Sequence, residues 1–102
     1  MAKTARAQTK RVPKHSILHL TLHREYFDAI VAGKKKTEYR DNSAYWRSRL
    51  LDRTYDEIHF RNGYATRAPF MRIQCLRIRK DKSDGFAIHL GRTLETKNYR
   101  LG

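Results

Sequence analysis

The 102-residue sequence has one cysteine, few acidic residues and no long apolar run. Each shortage excludes something. Cys75 alone cannot close an intrachain disulfide, and within its apolar run a free thiol reads as a small core hydrophobe. No cluster of Cys and His has metal-ligand spacing, so no metal or other cofactor is expected. No stretch is long enough to cross a bilayer. The first residues show neither the apolar segment of a secretion signal nor the amphipathic stripe of a transit peptide. A cytoplasmic protein without a membrane partner is the expectation.

The shortage of acids has the largest consequence. There are 23 Lys and Arg against 10 Asp and Glu, a formal net charge of +13. Such a surplus repels itself in the compact state and attracts polyanions. The first fourteen residues, "MAKTARAQTKRVPK", hold five of the basic residues and no acid; without them 18 bases still face 10 acids, or +8. Residues 1–14 are expected to be a flexible basic arm that solubilises the chain or touches nucleic-acid phosphates. Residues 15–102 are expected to be one domain with a modest core, a monomer or weak dimer.

Periodicity outlines that domain. "SILHLTL" alternates, placing Leu18, Leu20 and Leu22 on one face of a strand. In "REYFDAIVAG" the pairs Tyr26 with Ile30 and Phe27 with Val31 are four apart, so a helix follows, and Gly33 sits where a left-handed cap would end it. "KTEYR" reads as extended. "NSAYWRSRLLDR" offers Asn42 or Ser43 as N-cap of a short helix carrying Trp46 and Leu50 on one stripe. "YDEIHF" alternates again, and Asn62-Gly63 is a turn. In "FMRIQCLRIR" the phase slips from Met71, Ile73 and Cys75 to Leu76 and Ile78, which predicts a bulge or bend near Cys75. "GFAIHLG" closes the set, and the segment from Thr93 adds an edge strand or frays. The order is β-α-β-α-β-β-β: a small α+β domain, predicted as a partly closed mixed barrel with two short helices at its side.

The chemistry concentrates in "AGKKKTEYRD". On an extended segment Glu38 and Arg40 share one face, while Thr37 and Tyr39 take the other. An exposed pair of this kind contributes less than ~1 kcal/mol. A lysine held among other cations and partly desolvated near a helix end would instead have a lowered pKa and could act as a base at neutral pH. Spacing alone leaves both readings open. His15, His19, His23, His59 and His89 are scattered, and each reads as a surface residue.

These residues resemble the ASCH domain family, whose signature is a helix ending in glycine followed by G-x-K-x-x-E-x-R, here Gly33, Lys35, Glu38 and Arg40. "YWRSRL", "YDEIHFRNGY" and "FAIHLG" are similar to later blocks of small bacterial and phage members, so the resemblance covers about residues 16 to 92. It implies a PUA-like barrel, with Lys35, Glu38 and Arg40 lining a cleft between barrel and helices. It also implies two activities: hydrolysis of N4-acylated cytidines, or RNA binding and cleavage. In the cytidine-amidohydrolase branch the matching lysine works with a threonine three residues later and a more distant glutamate. Here Glu38 stands where that threonine would be, and Thr37 is one residue out of phase.

For amide hydrolysis Glu38 would activate water, Lys35 would move the proton or polarise the carbonyl, and Arg40 would stabilise the developing charge. Tyr45, Trp46, Arg61, Asn62 and Tyr64 are the expected substrate-binding residues, Trp46 or a tyrosine by stacking and Tyr64 as a second donor. Asn62 is a turn former first. The partner is then a modified cytidine nucleoside. For RNA, Arg47, Arg49, Arg53, Arg61, Arg67 and Arg72 would track phosphates while the same rings stack on bases. A binding module in which nothing reacts is the third class.

Overall fold

The computed structural model describes residues 16–100. The arm expected at residues 1–14, and His15, lie outside them. The elements are β1 (Ile17–Thr21), α1 (Arg24–Val31), β2 (Thr37–Arg40), α2 (Ala44–Leu50), β3 (Glu57–Arg61), β4 (Phe70–Lys80) and β5 (Phe86–Lys97). This is the order that the periodicity predicts. The tail does not fray at Thr93: β5 runs through it, and beyond the strand the Tyr99 hydroxyl donates to Asp28 Oδ1 at 2.9 Å.

The five strands form one sheet in the order β1-β3-β4-β5-β2. β1 runs parallel to β3 and every other pair is antiparallel. β1 and β2 are therefore the two edges, and the sheet curls into a half-barrel with an open seam, the α+β, PUA-like, partly closed architecture expected. The bend has a visible cause. The β4–β5 ladder shifts register between Arg72 and Ile73, again before Cys75, and again before Arg77. Around this irregular stretch the Gln74 side chain folds across β5, and its Oε1 accepts from the Arg92 amide at 2.9 Å. A Cβ on Gly91 would lie 2.6 Å from that oxygen, so the crossing needs glycine there.

The concave face is filled by Leu18 and Leu20 of β1, Ile58 and Phe60 of β3, Met71 and Ile73 of β4, and Phe86, Ile88 and Leu90 of β5. Phe27 and Ile30 of α1 and Leu50 of α2 close the core, with Val31, Trp46, Cys75 and Ile78 partly buried against it. Two apolar assignments from the sequence are corrected. Tyr26 is 45% exposed, because the stripe of α1 centres on Phe27 and Ile30 and leaves Tyr26 at its margin. Leu76 is 54% exposed, because the repeated register shifts turn it outward and only Ile78 resumes the inward phase.

Two of the helix boundaries, the start of α2 and the end of α1, follow local chemistry. Ser43 Oγ accepts from the Trp46 amide at 3.2 Å and caps α2, an arrangement worth about 1 kcal/mol. α1 ends in a Schellman motif: the Gly33 amide donates to Ile30 O at 3.0 Å and the Lys34 amide to Ala29 O at 2.9 Å. Gly33 has φ +76° with open space around its α-carbon, so the constraint there is purely conformational. Gly33→Ala is expected to cost about 1 kcal/mol, read as a lower urea midpoint with an unchanged m-value.

Candidate functional site

The Schellman turn delivers the chain from α1 into β2, and β2 fixes the polar group. Glu38 lies opposite Ile88 and Arg40 opposite Phe86, so both project to the core side of the sheet. Thr37 and Tyr39 take the other face, as alternation requires. Glu38 is buried at 5% exposure, and such a carboxylate must be paired. Its Oε2 pairs with the Arg40 guanidinium and its Oε1 lies 3.3 Å from Lys35 Nζ. Arg40 also donates to Tyr39 O at 2.8 Å, and Lys35 Nζ to Thr37 O at 2.7 Å. Lys35, Glu38 and Arg40 of this segment thus form one compact knot: ammonium, carboxylate, guanidinium.

Burial pushes the Lys35 ammonium below the ordinary lysine value of 10.5, and the Arg40 charge adds to this while Tyr39 and Tyr26 oppose it. The Glu38 contact at 3.3 Å favours the charged form, so the downward direction reflects desolvation outweighing it. The Nζ sits 5.8 Å above the Tyr26 ring and 5.5 Å from that of Tyr39, a cage that holds an ammonium in place. Burial also lowers the Arg40 pKa, with Asp41 opposing, but a guanidinium keeps its charge in proteins.

Arg40, with its guanidinium carbon 5.2 Å from the centre of the Trp46 ring, is the knot's member at a hollow of about 210 Å³. The hollow lies at the seam between the two edge strands. His19, Leu20 and Thr21 of β1 form one wall, Tyr45 and Trp46 of α2 another, and Tyr64 stands at the mouth, 90% exposed. Tyr45 and Trp46 meet edge to face at 4.8 Å, while Arg49 stacks on Tyr45 at 3.6 Å. This is room for a single flat ring beside a fixed cation, below the ~300 Å³ at which drug-sized pockets begin. Glu38 and Lys35 do not line it; they form the layer behind Arg40.

Of the residues expected at the substrate, Tyr45, Trp46 and Tyr64 come together there and two others do not. Arg61 lines a separate hollow with Thr66, Ala68, Phe70, Lys97 and Asn98, its guanidinium over the Phe70 ring. Asn62 Nδ2 donates to Leu22 O at 2.9 Å and its amide to Pro69 O at 3.0 Å, which ties the turn to the end of β1. His19 is exposed, as the sequence reading expects, and also borders the hollow. Only the curl of the sheet makes its two edges, β1 and β2, face each other, and no local signal in the sequence carries it.

Arg72, expected to track phosphate, is already committed. It donates to Glu57 Oε1 at 2.8 Å and to Glu95 Oε1 at 2.9 Å. Glu57 is buried at 6% exposure and its Oε1 is also 3.1 Å from His59 Nε2. This row crosses the convex face of the sheet and fastens β3, β4 and β5 together. Among the described residues, no group of three or more His, Cys, Asp or Glu is arranged to hold a metal ion. Nor, among them, is any helix long and apolar enough to cross a membrane.

With the geometry in place, comparison with known proteins gives one finding. The family model of the ASCH domain matches residues 20–68. That match supports the ASCH family. No curated protein and no solved structure matches the chain. The ASCH segment runs from β1 to the loop after β3, so it contains Lys35, Glu38, Arg40, Tyr45, Trp46 and Tyr64. An ASCH domain points to RNA binding or to hydrolase-like chemistry.

Proposed function

We propose that this ASCH domain is a cofactor-free amidohydrolase that takes an N4-acylated cytidine, or a similar modified pyrimidine nucleoside, into the seam hollow. The observation that supports this reading best is the knot behind the rings: a guanidinium at an aromatic pocket backed directly by a buried carboxylate and an ammonium. The pyrimidine stacks against Trp46 or Tyr45, and the acyl oxygen draws Arg40 away from Glu38. The freed Oε2 then accepts a proton from water, whose oxygen attacks the acyl carbon while Arg40 stabilises the oxyanion. The carbon–N4 bond breaks as Glu38 hands the proton taken from water to the N4 leaving group. The Lys35 ammonium at 3.3 Å stabilises the carboxylate so regenerated, and cytidine departs with a carboxylic acid that loses its proton to solvent. Glu38 in this scheme activates water, so the threonine absent from this position is not needed.

Incubation with a panel of N4-acylcytidines and with end-labelled single-stranded RNA tests the proposal. Cytidine release with uncut RNA is the expected result. Intact acylcytidines overturn it, in favour of a ribonuclease if the RNA is cut and of a binding module if it is not.

The lowered Lys35 pKa gives a second expectation. Lys35 acts in its protonated form, so kcat/KM falls as pH rises through its folded value, which lies below the ordinary 10.5. Lys35→Arg keeps its proton beyond about pH 12, so whatever activity it retains should lose this alkaline limb. An unchanged limb in that variant would remove the Lys35 charge from the mechanism.

RNA binding is the second reading, favoured by Arg77 and Arg79 on the convex face, which have no carboxylate within salt-bridge distance among the described residues.

A further inference from the structure

A larger hollow, about 760 Å³, lies on the other side of the sheet from the core. It follows from the register. Tyr39 of β2, Ala87 of β5 and Arg79 of β4 form one cross-strand row, with Ala87 opposite both of the others. A methyl group between a tyrosine and an arginine leaves a trough. The next row is Thr37, His89 and Arg77, so Arg77 and Arg79 stand two residues apart on one strand face, roughly 6.6 Å along the strand. The β4–β5 hairpin, residues 81–85, closes one end of the trough and brings Lys82 to it.

The charge of this trough is not balanced from within. Asp81 Oδ1 already accepts from the Ser83 amide and hydroxyl and from the Gly85 amide at 2.7 to 3.0 Å. Asp84 is taken by Lys80 at 3.1 Å and by Asn42 at 3.0 Å. Among the described residues, no carboxylate lies within salt-bridge distance of Arg77, Arg79 or Lys82. Arg72, farther along the same strand, shows the contrast, since two glutamates neutralise it. Beside the unpaired cations the Tyr39 ring, which has Lys35 Nζ 5.5 Å from its centre, is still 56% exposed.

We infer that this trough is a second site, separate from the seam hollow, that takes the phosphodiester backbone of a single-stranded polynucleotide. Arg77, Arg79 and Lys82 meet successive phosphates and Tyr39 stacks on a base, the combination that holds single strands without regard to sequence. A concave trough with one aromatic ring suits a flexible strand better than a flat lipid surface, which would need apolar side chains to insert. The site does not depend on the amidohydrolase reading: it lies on the opposite face of β2 from Glu38 and Arg40.

Fluorescence anisotropy with a labelled twelve-nucleotide single-stranded RNA, on the full chain, tests it. Arg79→Glu with Lys82→Glu should weaken binding about tenfold or more at physiological salt. It should also lower the slope of log K against log salt by about 1.4, the change expected when two phosphates are no longer neutralised. The milder Arg79→Gln with Lys82→Gln should move both quantities in the same direction, and Tyr39→Ala should cost about tenfold through weaker stacking. Arg67→Glu with Arg92→Glu, the same charge change away from the trough, should cost much less. The basic N-terminal residues are present in every variant, so the differences belong to the trough. Equal losses at both pairs would mean net charge alone, and unchanged affinity at Arg79 and Lys82, or tighter binding to phosphatidylserine vesicles than to RNA, would overturn the proposal. Hydrolysis of free N4-acetylcytidine by the Arg79/Lys82 variants, measured alongside, should match the wild type, so this site and the hollow succeed or fail separately.

Discussion

Glu38→Gln is expected to lower N4-acetylcytidine hydrolysis by about 10²–10⁴-fold, the range that a positioned acid-base group supplies. The amide is nearly isosteric, so the hollow keeps its shape, but it cannot take a proton from water. The substitution also leaves Lys35 and Arg40 facing each other without the carboxylate between them. Removing one member of a fully buried ion pair costs about 3–5 kcal/mol. Here both cations keep some access to solvent, at 22% and 17% side-chain exposure, so the loss should fall below that range. Thermal melting followed by circular dichroism separates the two effects. Activity should be lost at temperatures where the variant is still folded. A folded Glu38→Gln protein with wild-type turnover would take Glu38 out of the chemistry.

Phe60→Ala is expected to have the largest effect on stability. Phe60 is fully buried on β3, between β1 and β4, at the centre of the concave face. Truncating a buried phenylalanine costs about 3–5 kcal/mol, because the lost transfer energy is joined by a cavity the neighbours fill only in part. A domain of this size has about 5–15 kcal/mol in total. The thermal midpoint should therefore fall by more than about 12 °C. Leu76→Ala, a substitution of similar chemistry on the same sheet, should stay within about 0.5 kcal/mol because Leu76 is largely exposed. Comparable losses at both positions would mean that the half-barrel core is not where the strand register places it.

Those two leucine and phenylalanine sites also mark where the sequence can be read and where it cannot. Strand faces are legible wherever strict alternation holds, as at Leu18 and Leu20 or Ile58 and Phe60, because a side-chain period of two leaves no freedom about which face is buried. The slip around Cys75 announces a bulge, but not that Leu76 is turned outward. That depends on how many registers are skipped, a property of the partner strand and of Gly91. Ser43 and Gly33 are legible for a different reason: caps are local, and their hydrogen bonds span only a few residues. The pairing of Lys35, Glu38 and Arg40 is equally local, so their spacing carries it.

The hollow is not local. It exists because β2 crosses to the far edge while β1 stays at the near one, and the sheet then bends until the two edges face each other. No short-range pattern encodes that crossing, which is why the sequence alone does not place the exposed His19 beside the hollow and groups Arg61 and Asn62 with the substrate. Arg72 illustrates the same limit in charge. Its glutamate partners lie 15 and 23 residues away, so a count of basic residues includes it among free cations although the fold has neutralised it.

The most direct test is a titration of the isotopically labelled protein with N4-acetylcytidine, run on Glu38→Gln so that the ligand survives and followed by two-dimensional NMR. Saturable shifts centred on the Trp46 indole, the Arg40 side chain, Tyr64 and His19 are the result expected if a pyrimidine sits at the seam. Shifts confined to other surfaces, or none at millimolar ligand, would contradict it.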